Sequence, residues 1–329
     1  MATDIASVLE TIERHQRRRR LLTVIGLVVV GIVTVVGATF LGFKVADLWR
    51  QLPIWLESVG QFVSPDFERF TIWSQANGVG GWAGFFESFL HPGTLVHSLV
   101  EQEGIVGASV VTIVIGFTGT VIGFPLALLF GVLGSERVTP FPFNFIFRGT
   151  MSTIRAVPAL VWILIYVPLA GISPVSAMLA VGTDTIGNLG RLFTDELEEI
   201  EEGPIEAIRS TGASGSQTVI FGMLSQVHTS FIAWTLYILE INVRIAISLG
   251  VVGAGGIGQY INLRIGLLEF SQAAAGIFMV IVIVISVELV SSRLRARLRP
   301  GEHEGTGFLE SLRNLGDMGS WIGTGSGKP

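Results

Sequence analysis

Residues 197–226 read LEEIEEGPIEAIRSTGASGSQTVIFGMLSQ, a charged and punctuated segment set between two apolar runs that are each long enough to cross a bilayer. An otherwise apolar chain carries a soluble-looking device here, and such a device is suited to a soluble partner. Gly203-Pro204 ends the preceding helix, and Pro204 suits the first position of a new one, where its missing N–H costs nothing. Glu206 then falls in the first turn, against the positive end of the helix dipole. Gly212 suits the left-handed conformation that closes a short helix, and Ser214 and Gln217 have the spacing of a capping box for the next one. The expected product is a helix of roughly two turns within 204–212, bracketed by two reorientations of the chain. Spacing alone serves equally well for a capped connector with no further role.

The flanks define the fold class. Of 329 residues, 50% are hydrophobic and 14% charged, and the mean hydropathy is +0.64, too little polar material to solvate a globule of this length. Apolar residues come in runs of about 20, the length that matches a hydrocarbon core. The expectation is an all-α, polytopic membrane protein with about six spans: 21–43, 105–133, 149–170, 175–193, 218–249 and 273–289. Residues 1–20 form a polar N-terminal tail ending in four arginines, Arg17 to Arg20, and residues 293–329 form a polar tail that starts in an Arg-rich stretch. The run after Arg20 is longer than the apolar part of a usual signal peptide and reads as a retained span. The positive-inside rule then puts both termini in the cytoplasm of a plasma-membrane protein. Residues 44–103, rich in Trp and Phe, read as an external loop of short interfacial helices, and 104–292 as the core transmembrane domain, with its cytoplasmic loop at 194–215.

Within the core, Gly119-x-x-x-Gly123 permits close helix approach and Pro125 is a candidate kink. Asp184, Asn188, Arg191 and Asp195 recur at helical spacing, so one face of their span is polar and cannot look at lipid. Arg155 can snorkel or face the bundle interior. Glu240 and Arg244 lie one turn apart, where they can pair; they either line a path or only lock helix packing. Gly253-Ala254-Gly255-Gly256-Ile257-Gly258 matches the dinucleotide fingerprint G-x-G-x-x-G, but a membrane span precedes it where that motif needs a strand, so a packed or flexible turn at the outer face is the better reading. The chain has no cysteine, which excludes disulfides and thiolate metal sites, and no basic stripe with interleaved aromatics for nucleic acid.

Glu206-Ala207-Ile208, Gly212 and Leu224 resemble the EAA loop of the membrane subunits of ATP-binding-cassette (ABC) importers. Ile208 stands in place of the second Ala, Gly222 in place of an Ile, and Ser225 in place of a Pro. Three further segments resemble phosphonate-type permeases: 154–162 (IRAVPALVW), 184–193 (DTIGNLGRLF), and 240–244 (EINVR) followed by 249–258 (LGVVGAGGIG). The resemblance runs over about residues 95–299. It implies the type I importer transmembrane fold, with Glu206, Ala207, Ile208 and Gly212 in a coupling helix that sits in a groove of the ATPase subunit. It further implies two copies of this chain, two ATPase subunits and an external substrate-binding protein, surrounded by membrane lipid.

No P-loop accompanies this. The only lysines are Lys44 and Lys328, neither in Gly-x-x-x-x-Gly-Lys-Ser/Thr, so ATP and Mg²⁺ would belong to the partner ATPase and no cofactor to this chain. The reading is therefore a transport subunit for phosphonate or a related phosphorus oxyanion, not an enzyme. The alternatives are an importer of another small solute and a self-sufficient secondary transporter or channel, with Asp184 and Glu240 as ion sites.

Overall fold

Proline, glycine and the residues beside them cut a largely apolar chain into fourteen α-helices in the computed structural model, which describes residues 2–298, with side chains from residue 15 onward. Of the polar tail expected at 293–329, residues 293–298 continue the last described helix and residues 299–329 lie outside the described residues. The chain divides into two compact units at residue 60. The first holds α1 (Ala2–Phe40), including the apolar stretch His15–Phe40, and most of α2 (Val45–Val63).

The second unit begins with three short helices, α3 (Ile72–Asn77), α4 (Gly81–Ser88) and α5 (Pro92–Val100). Their aromatic residues do not all lie at a surface, as the sequence reading supposed. Phe67 and Phe70, just before α3, are buried; Phe67 meets Trp82, Phe85 and Phe278, and Phe70 meets Phe85, edge-on or tilted, at centroid distances of 4.9 to 5.6 Å. An aromatic cluster of this kind fastens this segment to the last described helix, Phe270–Leu298.

Next come α6 (Gly104–Gly134), α7 (Phe143–Ala156), α8 (Ala159–Ala170), α9 (Pro174–Glu199) and α10 (Glu202–Ser210). One turn, α11 (Gly215–Gln217), and a π-helical stretch, Thr218–Met223, lead into α12 (Leu224–Val251). The unit closes with α13 (Gly256–Gly266) and α14 (Phe270–Leu298). The span expected over 149–170 is instead two helices meeting at 92°. Pro158 is the cause: it lacks the N–H that would continue the ladder and pushes Val157 into extended backbone, at φ −101° and ψ 115°. Pro125, in contrast, sits inside an unbroken α6.

Among the described residues, four helical stretches are long and apolar enough to cross a membrane, five if the bent pair counts as one span. α9 meets the length but not the apolarity, because its polar face is turned inward. It packs on α6, α7, α8 and α12 and is the centre of the bundle. In lipid there is little hydrophobic drive between helices, so close contact of small residues carries the association. A Cβ on Gly119 would lie 2.6 Å from Val181 Cγ1, one on Gly131 2.7 Å from Phe193 Cβ, and one on Gly190 3.1 Å from the Ala127 carbonyl. Any side chain there forces α6 and α9 apart.

Candidate functional site

Chain geometry singles out α10 first. It starts at Glu202, earlier than proline placement suggested, so Pro204 is the third helical residue. The position is tolerated for the same reason as the first: the opening amides of a helix have no intrahelical acceptor. Gly212 takes φ +82°, and Ser214 and Gln217 form a reciprocal capping box. One side of the helix is anchored by Ile205, 3% exposed, in a core of Leu197, Met223, Val227 and Phe231. Glu202, Glu206, Ala207 and Arg209 face away, exposed.

The departures at 208 and 222 explain each other. A Cβ built on Gly222 would stand 3.3 Å from Ile208 Cδ1, so the volume that an isoleucine would add at 222 is already occupied from 208. Ile208 thereby packs α10 on the π-helical stretch at Gly222.

Polar contacts tie the end of α9, and the first residue of α10, to the bundle. Arg148 pairs with Glu198, lies 3.8 Å from Glu136, and donates through Nε to the Gly134 carbonyl at 2.7 Å. Arg137 reaches Glu202 at 3.6 Å. Trp234 Nε1 donates to Glu196 at 2.6 Å, fastening α12 to the end of α9.

The polar face of α9 opens into a second feature, a cavity of about 340 Å³ whose lining includes Arg155, Asp184, Asn188, Arg191, Asp195 and Tyr237. Arg155 Nε donates to Asn188 Oδ1 at 3.2 Å, and Asn188 Nδ2 to Asp184 Oδ2 at 2.9 Å, a polar chain from α7 into α9. Arg191 and Asp195 pair at 2.9 Å.

Asn242, which the sequence reading did not single out, forms the floor. Its Nδ2 donates to Thr120 Oγ1 and Thr185 Oγ1, both at 2.8 Å, while each hydroxyl gives its own proton to a helix carbonyl. Both protons of the Asn242 amide are used, and α6, α9 and α12 are tied at one level. An amide inside an apolar span was the available signal.

Glu240 and Arg244 do not line this cavity. They pair on α12 and turn to α14, where Arg295 lies 3.8 Å from Glu240 and Glu288 4.0 Å from Arg244. The glycine motif closes a turn between α12 and α13, with Gly253, Gly255 and Gly256 at φ between +72° and +98°.

Residues 119–302 match the family described as binding-protein-dependent transport system inner membrane component. The chain is 35% identical over 192 residues to a phosphate-import permease protein of Mycolicibacterium smegmatis, covering 58% of this chain and 36% of that protein. It is 33% identical over 187 residues to a putative phosphite transport system permease protein of Stutzerimonas stutzeri, covering 56% of this chain and 65% of that one. These matches span about a third and just under two thirds of the two relatives. A putative cryptic phosphonate transport system permease protein of Escherichia coli is 42% identical over 118 residues, 36% of this chain and 97% of its own length. In structure, the chain resembles a chain of an inward-facing methionine ABC transporter, with a TM-score of 0.50 and 22% identity over 57% of this chain and 91% of the other.

Proposed function

Because this chain belongs to the family of binding-protein-dependent transport system inner membrane components, we propose that it is the membrane-spanning subunit of an ATP-driven importer for phosphonate or a related phosphorus oxyanion. The observation that carries the coupling role is α10, a short helix with one buried isoleucine, an exposed acidic and small-residue face, and an ion pair from Arg137 to its first residue, Glu202. Such a helix docks into a groove of an ATPase subunit, which supplies ATP and Mg²⁺. Glu206, Ala207 and Ile208 form the docking turn, and Gly212 lets the chain leave it. Both termini and α10 then lie in the cytoplasm.

The substrate class rests on the relatives, whose names specify phosphate, phosphite and phosphonate. Arg155, Asp184 and Asn188 line the path, open to one side so that a second copy of the chain completes it. Glu240 and Arg244 are assigned to packing, since both face α14. An external binding protein delivers the solute.

The test is reconstitution of the chain with its ATPase subunit and binding protein in liposomes. ATP-dependent uptake of methylphosphonate, phosphite or phosphate is expected. Uptake by this chain alone, without ATPase, would overturn the coupling role; uptake of none of the three would overturn the substrate class.

A further inference from the structure

α6, α9 and α13 all begin around one cavity of about 490 Å³, at the end of the bundle opposite α10. α9 is 26 residues long, so the two ends stand about 39 Å apart. The size suits a small solute. From its lining we propose that this cavity is an anion-receiving site in which Arg69, Arg264 and the start of α13 hold a phosphorus oxyanion at the outer mouth of the path. The inference rests on the oxyanion-importer reading and adds to it a second, external station on the permease itself.

Charge is the first argument. Among the described residues, no carboxylate lines the cavity. Arg69 is half-buried and, among the described residues, has no ion-pair partner. The Asp66 carboxylate nearby is taken up by the amides of Glu68 at 3.1 Å and Gly81 at 2.7 Å. Arg264 is neutralised by Glu269 at 2.6 Å, outside the cavity wall, and lies 5.3 Å over the Tyr260 ring. The net charge of the lining is therefore positive, and the positive end of the α13 dipole adds to it.

The second argument is the construction of the wall. Gly255 and Gly256 line it in the left-handed region, and a Cβ on Gly255 would come within 2.8 Å of Pro174 Cγ. The turn is pinned by the Ile257 amide, which donates to Thr112 Oγ1 at 2.9 Å, while the amides of Gly255 and Gly256 donate to no group among the described residues. This is the physics that makes a glycine fingerprint bind phosphate, present here on a helix of 11 residues without the strand and sheet of a nucleotide fold.

A third observation is independent of the backbone. Tyr260 Oη and Arg264 Nε are buried at the edge of the cavity, and neither has a hydrogen-bond partner among the described residues. Orphaned donors of this kind call for an acceptor, and an oxyanion or a water in its shell supplies one. Gln102 and Gln259 on the same wall offer further amide donors.

The experiment uses the full complex with its ATPase subunits, without binding protein, and follows methylphosphonate by ³¹P line broadening, both in phospholipid nanodiscs and in maltoside detergent. Binding is expected in both. Arg69→Gln should weaken it about tenfold, the loss of one charge-assisted bond, and Arg69→Lys should restore most of it; ATP hydrolysis by the Arg69→Gln complex reports that it is folded. Binding in maltoside but not in nanodiscs would assign the cavity to a lipid headgroup and overturn the proposal. Binding in both that ignores Arg69→Gln would also overturn it. If methylphosphonate, phosphite and phosphate all fail to bind while uptake in liposomes persists, the external station falls and the importer reading stands. If uptake of all three fails while an Arg69-dependent oxyanion still binds, the importer substrate falls and the anion site stands.

Discussion

Ile208 and Gly222 show how a motif can change letters and keep its shape. Gly222 is buried beside Ile208, so Gly222→Ile overfills the contact between α10 and the π-helical stretch. Overpacking of this kind costs about 1–3 kcal/mol. Thermal unfolding in detergent should therefore fall for Gly222→Ile and recover in the double variant Gly222→Ile, Ile208→Ala, a coupling that independent sites would not show. Glu240 and Arg244 make an asymmetric pair, with side chains 8% and 45% exposed, and Glu240 also faces Arg295. Glu240→Gln removes the buried carboxylate that faces both Arg244 and Arg295, whereas Arg244→Gln leaves Glu240 with Arg295 and removes a half-solvated cation. The yield of folded protein should fall markedly for the first and little for the second, with uptake per folded molecule kept in both. Lost uptake at full yield for Arg244→Gln would return Arg244 to the path.

At the scale of elements, α10 is a lever held at its base. Its exposed face can be changed without touching the core, because Ile205 is the residue the helix buries. Glu206→Lys should leave the protein folded and in the membrane while reducing ATPase association and transport, both measurable by copurification and uptake. Gly212→Val acts differently. At φ +82° a β-branched residue costs about 1–2 kcal/mol, so the chain leaves α10 at another angle, and coupling should drop even where ATPase still binds. Intact coupling in both variants would remove α10 from the role. The bend at Pro158 is the other decisive element: it turns the tip of α7, with Arg155, towards Asn188 on α9 instead of along a straight span.

For the whole molecule, the prediction concerns orientation. With α10 and both ends in the cytoplasm, tags at residue 2 and residue 329 should be inaccessible from outside intact cells, and a tag near Gly80, in the segment of α3 and α4, should be accessible. An accessible C-terminal tag would mean an odd number of crossings and would put the cavity at Arg69 and the helix α10 on the wrong sides for import. The same result would end the proposal for an external anion station.

The helical class, the apolar stretches, the polar face of α9 and the capped loop after it could be read from the chain alone, because each depends on composition, helical period or a residue with one special backbone role. Gly212 had to close a helix and Ser214 had to open one, whatever surrounded them. Tertiary structure decided what those faces meet. Glu240 and Asp184 are both acids inside apolar runs, and only packing shows that one turns to Arg295 on α14 and the other to a cavity with Arg155. Arg69 and Arg264 are 195 positions apart, and Thr112 is 145 from the amide it accepts. No periodicity reports such distances, since contacts between helices depend on crossing angles and on which glycines allow backbones to touch, and those are properties of the assembled bundle.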